Sequence, residues 1–377
     1  MARDDDAPRY AAIEYPRRRL ARGLLRGLGR ILMPLLTRTE LRGLDHFPEH
    51  GPLLVVGNHV ATMEAVLMIV YAPWQIEMLG AGDIAPPRWM EMITRIYDFI
   101  PVNRGNFDRK AMRQALDLLG QGGILGIFPE GGVWDPGAME AKRGVAWLSY
   151  HANAPILPIG FGGVEGALDK VFKLKRPELV MNVGEVLPPV QIGSADQRRE
   201  RLQEAANEIL AEVKALIPEA YRSQHPEIAE EHFQLTVTAL DRSGNEVPIP
   251  EKRQIDHADG LCKLFYRPWI LHIFIKDLGL PAMALQQLDE EPSPEALITA
   301  LDPILHYVGE ENPGFFTYRF GHQWGPAMQQ GLAELRDLAA WAGENDYRLR
   351  IRAIRRYRIS GQVEEIVETE PGPEHVW

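Results

Sequence analysis

A chain of 377 residues, 45% apolar and 25% charged, has room for two packed domains and is not composed like a disordered protein. A net charge of −11 argues against nucleic-acid binding by the whole protein, and a single cysteine, Cys262, excludes an intramolecular disulfide. No apolar run reaches the roughly 18–20 residues that a bilayer-spanning helix needs, and the opening MARDDDAPRY lacks a signal-peptide core. The expectation is a reducing, cytoplasmic setting.

Residues 1–45 read as an N-terminal arm with a basic amphipathic helix. From Arg17 to Arg38 there are seven arginines and no acid, so the rest of the chain sums to −18. Leu20, Leu24, Leu25, Leu28, Ile31, Leu32, Leu35 and Leu36 follow helical spacing, while Arg18, Arg22, Arg26 and Arg30 recur every fourth residue on another face. Such a helix suits an anionic membrane surface. The same pattern describes a helix whose leucines cover the following domain and whose arginines are solvated.

Residues 46–222 alternate between strand and helix patterns. PLLVV is a buried strand, ATMEAVLMIVYA a helix, and RWMEMITRIYDFIPVNR a helix running into a strand. FDRKAMRQALDLLGQGG is an amphipathic helix with a glycine stop, followed by the strand ILGIF. A helix near KRGVAWLSYHAN, strands in APILPIGF and ELVMNVGEVL, and the helix DQRRERLQEAANEILAEVKALI complete an α/β domain. After the linker PEAYRSQHPE, residues 228–377 change character to α+β: a hairpin turning near Ser243–Asn245, three helical stretches, and a final hairpin. In that hairpin Arg348, Arg350, Arg352, Arg356 and Arg358 share a face. A three-residue turn at 359–361 would set Arg356 opposite Glu364 and Arg352 opposite Glu368, an ion-paired ladder rather than a lipid or nucleic-acid patch.

The segment GNHVATMEAV, residues 57–66, places His59 just past a buried strand and Glu64 five residues later. On one helix the two would be rotated about 140° apart. They can meet if His59 lies on the strand–helix loop and Glu64 in the first helical turn. A carboxylate on one imidazole nitrogen fixes the tautomer and leaves the other nitrogen as a base. Taken alone, the pair reads more readily as a surface histidine and an unrelated helix-start glutamate.

Three further blocks follow in order: FIPVNRGN with Arg104, IFPEGG with Glu130, Gly131 and Gly132, and APILPIGF with Pro158. Together with Asn58-His59…Glu64, these four blocks over about residues 50–190 resemble the glycerolipid acyltransferase family, typified by lysophosphatidate acyltransferase. That family carries N-H-x-x-x-x-D, an arginine block, F-P-E-G and an apolar proline block. The resemblance implies a glycerol-phosphate-acyltransferase-like α/β sheet flanked by helices, with the C-terminal α+β domain as an accessory. It implies transfer of a fatty acyl group from acyl-CoA or acyl carrier protein to a lysophospholipid hydroxyl, without a further cofactor. His59 would be the general base, Glu64 its orienting carboxylate, and Arg104 a phosphate ligand, with Asn58, Glu130, Gly131, Gly132, Lys142 and Arg143 also in the substrate site.

By charge alone Glu130 should meet a hydroxyl or backbone N–H groups rather than a phosphate. Lys142 and Arg143 would be phosphate contacts or simply a solvated helix start. Two departures stand out: Glu64 replaces the usual aspartate, and GVWDPG follows F-P-E-G where the family commonly has Thr/Ser, Arg and Ser. The second keeps two alternatives open, a phosphate-free glycolipid or aminolipid acceptor and a non-catalytic lipid-binding protein. Five methionines between Met63 and Met92 would line an acyl groove or pack a core. No spacing of histidines and cysteine suggests a metal. The resemblance implies a peripheral protein on the inner face of the cell membrane, with membrane lipid as partner.

Overall fold

The computed structural model describes residues 14–59, 61–82, 88–103, 108–129, 141–193, 197–222, 228–288 and 291–369, with the side chains of 88–90 left out. The first domain is built on strand β2 (Leu53–Gly57), whose five residues are all buried. An apolar, β-branched run of this kind suits a strand covered on both faces. β2 pairs in parallel with β5 (Ile124–Ile127) and β6 (Ile156–Gly162). The full order is β1 (Arg38–Arg42), β7 (Glu178–Val183), β6, β2, β5, β3 (Glu77–Ala81), β4 (Ile100–Val102). Among the described pairings of this sheet only β6 with β7 is antiparallel. Helices α4 (Arg109–Gly120), α5 (Gly144–Ala152) and α7 (Arg198–Leu216) pack one face. α1 (Arg19–Leu36), α2 (Met63–Tyr71), α3 (Arg88–Tyr97) and α6 (Ala167–Phe172) belong to the other. Met63, Met68 and Met78 are core residues there, while Met92 is exposed.

Two strands have no counterpart in the sequence reading. β1 is a polar edge strand, and β3 carries Glu77, fully buried. The first also corrects the expected boundary: residues 38–42, assigned to an arm, are part of the sheet.

Helix α1 is mounted with Arg22, Arg26 and Arg30 bonded inward, while Arg19 is exposed. Arg22 is fully buried, its guanidinium bonded to Glu77, to Tyr97 O at 2.8 Å and to Asp98 O at 3.0 Å. Arg26 donates to Ile69 O at 3.1 Å and to Ala72 O, Arg30 to Val70 O at 3.0 Å and Ala72 O at 3.1 Å, and Arg18 to Arg95 O at 2.7 Å. These acceptors are carbonyls at the C-terminal ends of α2 and α3, which have no intrahelical donor and lie at the negative ends of their helix dipoles. Forked guanidinium groups satisfy both needs. The leucines consequently point away: Leu20 is 91% exposed, Leu24 75%, Leu28 50%, Ile31 65% and Leu35 64%. Neither sequence expectation had this arrangement, with three arginines bonded inward and most of the leucines outside.

In the second domain β8 (Ile228–Leu240) and β10 (Arg348–Ile359) form the centre of a four-stranded antiparallel sheet. It is flanked by β11 (Glu365–Glu368) and β9 (Glu246–Val247). α8 (Ala258–Phe265), α9 (Pro268–His272), α10 (Pro294–His306) and α11 (Phe315–Glu344) supply its core. The final hairpin has a different register from that expected. Its connection runs through 359–364, with Gly361 at φ 83°, so Arg355 faces Glu368 and Arg358 faces Glu365. Ion pairing survives with other partners: Arg355 with Glu231 at 2.7 Å and Glu368 at 3.1 Å, and Arg350 with Glu291 at 2.6 Å.

Candidate active site

Parallel strands β2, β5, β3 and β4 send the loops that follow them to one edge of the sheet, the edge where α/β folds bind ligands. His59 lies there, two residues past the end of β2 and on no regular element. Asn58 fixes the start of that loop: its side-chain oxygen accepts from Phe161 N at 2.7 Å and its amide donates to Phe161 O at 3.2 Å. Its polar atoms are thus spent on joining the ends of β2 and β6. Gly57 is required by packing, since a Cβ there would lie 2.7 Å from the Phe161 ring.

The next turn begins α2, and Glu64 sits in it, fully buried. Its Oε1 accepts from Ala61 N–H at 2.8 Å, which holds the carboxylate back toward the loop that carries His59. The positive end of the helix dipole favours an anion at this position. The placement required for the pair to meet, histidine on the loop and glutamate in the first turn, is the one observed.

Phe128, the first residue after β5, stacks on the His59 ring with centroids 4.3 Å apart and planes inclined by 14°. The β2–β5 register, Val56 opposite Ile127, brings the two together. Sequence reasoning quoted this phenylalanine within IFPEGG and gave it no role; its signal was its place at the end of a strand adjacent to β2.

Arg104, Glu130, Gly131 and Gly132 lie outside the described residues. Of the described residues on either side, Asn103 N–H donates to Asp108 Oδ2 at 2.9 Å. The other oxygen of Asp108 caps α4, accepting from Lys110 and Ala111 N–H at 3.0 Å each. Lys142 and Arg143 stand at the start of α5, both exposed. Lys142 N–H donates to Pro129 O at 2.8 Å, and Gln203 Nε2 to Ala141 O at 2.9 Å, which ties this segment to the end of β5 and to α7. The Lys142 ammonium reaches the second domain, donating to Tyr318 O at 3.2 Å and lying 4.7 Å from the Tyr318 ring centroid.

Among the described residues there is no group of three or more potential metal ligands and no helix long and apolar enough to cross a membrane. Cys262 is buried in the second domain, where burial pushes its thiol up to about 12, so it is not an activated nucleophile. The edge of the first sheet thus carries an imidazole on a loop and, in the helical turn that follows, a buried carboxylate.

The sequence profile described as Acyltransferase matches residues 38–162. The 1-acyl-sn-glycerol-3-phosphate acyltransferase of Bacillus subtilis is 21% identical over 188 residues, 49% of this chain and 92% of that protein. The 1-acyl-sn-glycerol-3-phosphate acyltransferase alpha of Homo sapiens is 32% identical over 130 residues, 32% of this chain and 44% of that protein. The Mus musculus protein is 31% identical over 165 residues, 41% and 55% of the two chains. The chain thus spans only about half the length of these mammalian relatives. The crystal structure of the 1-acyl-sn-glycerophosphate acyltransferase from Thermotoga maritima aligns at 18% identity and a TM-score of 0.39, over 52% of this chain and 81% of that one.

Proposed function

We propose, from the match of residues 38–162 to the acyltransferase profile and the similarity to 1-acyl-sn-glycerol-3-phosphate acyltransferases, that the protein acylates lysophosphatidate from acyl-CoA or acyl carrier protein. The observation that supports this reading is the placement of His59 on the loop after β2 and of a fully buried Glu64 in the first turn of α2, at the edge of the sheet and inside the matched segment. His59 takes the proton of the acceptor hydroxyl as its oxygen attacks the thioester carbonyl. Collapse of the tetrahedral intermediate breaks the carbon–sulfur bond, and the imidazolium returns the proton to the departing thiolate. The products are an ester and a free thiol, with no acyl-enzyme. Glu64 orients the ring and stabilises the imidazolium, and the stacked Phe128 fixes its plane. Asn58 acts on the shape of the loop rather than on substrate.

Arg104 is assigned the acceptor phosphate, a task for a permanently charged fork, and Arg143, at the start of α5, is assigned to the same group. Glu130 is assigned a hydroxyl or backbone N–H contact, and Gly131 and Gly132 close backbone approach to the ligand. The outward leucine ridge of α1 meets the bilayer that holds the acceptor, on the inner face of the cell membrane.

Purified protein incubated with labelled acyl-CoA or acyl carrier protein and a panel of lysolipids should yield phosphatidate. Acylation of phosphate-free acceptors alone would favour the second reading, which the altered GVWDPG block motivates. A protein that binds lysolipid and turns over none of the panel would be the non-catalytic one.

A further inference from the structure

The turn between α6 and β7 has the sequence KVFKLKRP. It closes α6 with two hydrogen bonds, Leu174 N–H to Val171 O at 2.9 Å and Lys175 N–H to Lys170 O at 2.8 Å. This is the Schellman pattern, whose left-handed position is usually glycine. Here it is Leu174, at φ 55°. A leucine strained into a glycine position is ordinarily repaid by burial, yet Leu174 is 75% exposed and the neighbouring Phe172 63% exposed. Around them Lys170, Lys173 and Lys175 are exposed, with Asp169 as the one acid between residues 169 and 176. Arg176 is otherwise engaged: it donates to Pro34 O at 2.9 Å and Thr37 O at 3.4 Å, which fastens the turn to the C-terminal end of α1. The two exposed apolar side chains therefore continue the outward leucine ridge, and the lysines ring them with positive charge.

We propose that this turn is a second membrane contact, with Phe172 and Leu174 entering the acyl–headgroup boundary and Lys170, Lys173 and Lys175 selecting anionic lipid. It rests on the reading of α1 as a membrane-facing helix and assigns the two kinds of attraction to different places. Arg22, Arg26 and Arg30 of α1 bond inward, which leaves Arg19 as its exposed arginine without such a bond, so charge selectivity belongs mainly to the lysines of the turn and apolar anchorage to both.

The test is flotation of the full chain with phosphatidylcholine vesicles, with and without phosphatidylglycerol, over a range of salt. Replacing the three lysines by glutamine should remove the preference for anionic vesicles, about fivefold per lysine at low salt, and flatten the salt dependence. Leu174→Gly should weaken binding about tenfold while its melting temperature stays equal or rises, since glycine suits the backbone and no packed contact is lost. Leu24→Ser with Leu28→Ser tests α1 separately and should weaken binding to both kinds of vesicle. Wild-type binding by the lysine and Leu174→Gly variants, with loss in the α1 variant, would overturn the turn's role while leaving α1's intact. A lysine variant that loses binding to acyl carrier protein but keeps its lipid preference would overturn it equally.

Discussion

Helices α1 and α7 lie on opposite sides of the same sheet, and both are amphipathic, yet they are mounted in opposite senses. α7 buries Leu202, Ile209, Leu210 and Val213, while its Arg201 pairs in solvent with Glu204 and Glu208. α1 buries Arg22 and Met33 and leaves Leu20, Leu24, Leu28, Leu32 and Leu35 outside. Helical periodicity specifies which residues share a face; it does not say which face turns inward. For α7 the neighbours are apolar sheet and helix surfaces, and burial of apolar area decides. For α1 the neighbours include two helix ends rich in unpaired carbonyls and a buried carboxylate, and the demand for donors decides.

The largest way to break this contrast is to remove the buried cation. Arg22→Met leaves Glu77 without its principal buried partner and should cost about 3–5 kcal/mol, read by urea denaturation. Truncation before residue 38 would do the same damage, so it is a poor test of membrane contact. Next come matched leucines. Leu210→Ala in α7 should cost about 2–5 kcal/mol, whereas Leu24→Ala in α1 should stay within about 0.5 kcal/mol and weaken vesicle binding instead. Equal destabilisation by both would show that α1 buries its leucines. The smallest effect is expected of Arg30→Gln, about 1 kcal/mol of stability through its carbonyl contacts, with vesicle binding unchanged. Loss of anionic-vesicle binding without loss of stability would return that arginine to the membrane face.

The strand–helix alternation of residues 53–216 was legible because most of its strands are continuous apolar runs and its helices carry clear stripes. β1 and β3 were not, since RTELR is a polar edge and Glu77 interrupts a strand for the sake of Arg22, a partner 55 residues away. The terminal hairpin was legible as a hairpin but not in register. A turn of 359–364 rather than three residues moved every pair, and Arg352 faces Thr236 on β8 instead of a glutamate. At the site, spacing alone supplied His59 on a loop and Glu64 in a first turn. It could not supply Phe128, which depends on strand order, nor the grip of Tyr318 on Lys142, which depends on how the second domain docks. Asn58 was read with the chemistry, and its two bonds to Phe161 make it part of the scaffold.

That His59 is the base, with Glu64 behind it, is tested most directly by acyl transfer to lysophosphatidate in His59→Ala and Glu64→Gln, each checked for an unchanged melting temperature. His59→Ala should abolish turnover. Glu64→Gln should lower it by up to about 10⁴-fold, the loss seen when the carboxylate of a hydrolytic triad in another enzyme becomes an amide, with little change in donor or acceptor binding. Wild-type turnover by His59→Ala would contradict the assignment.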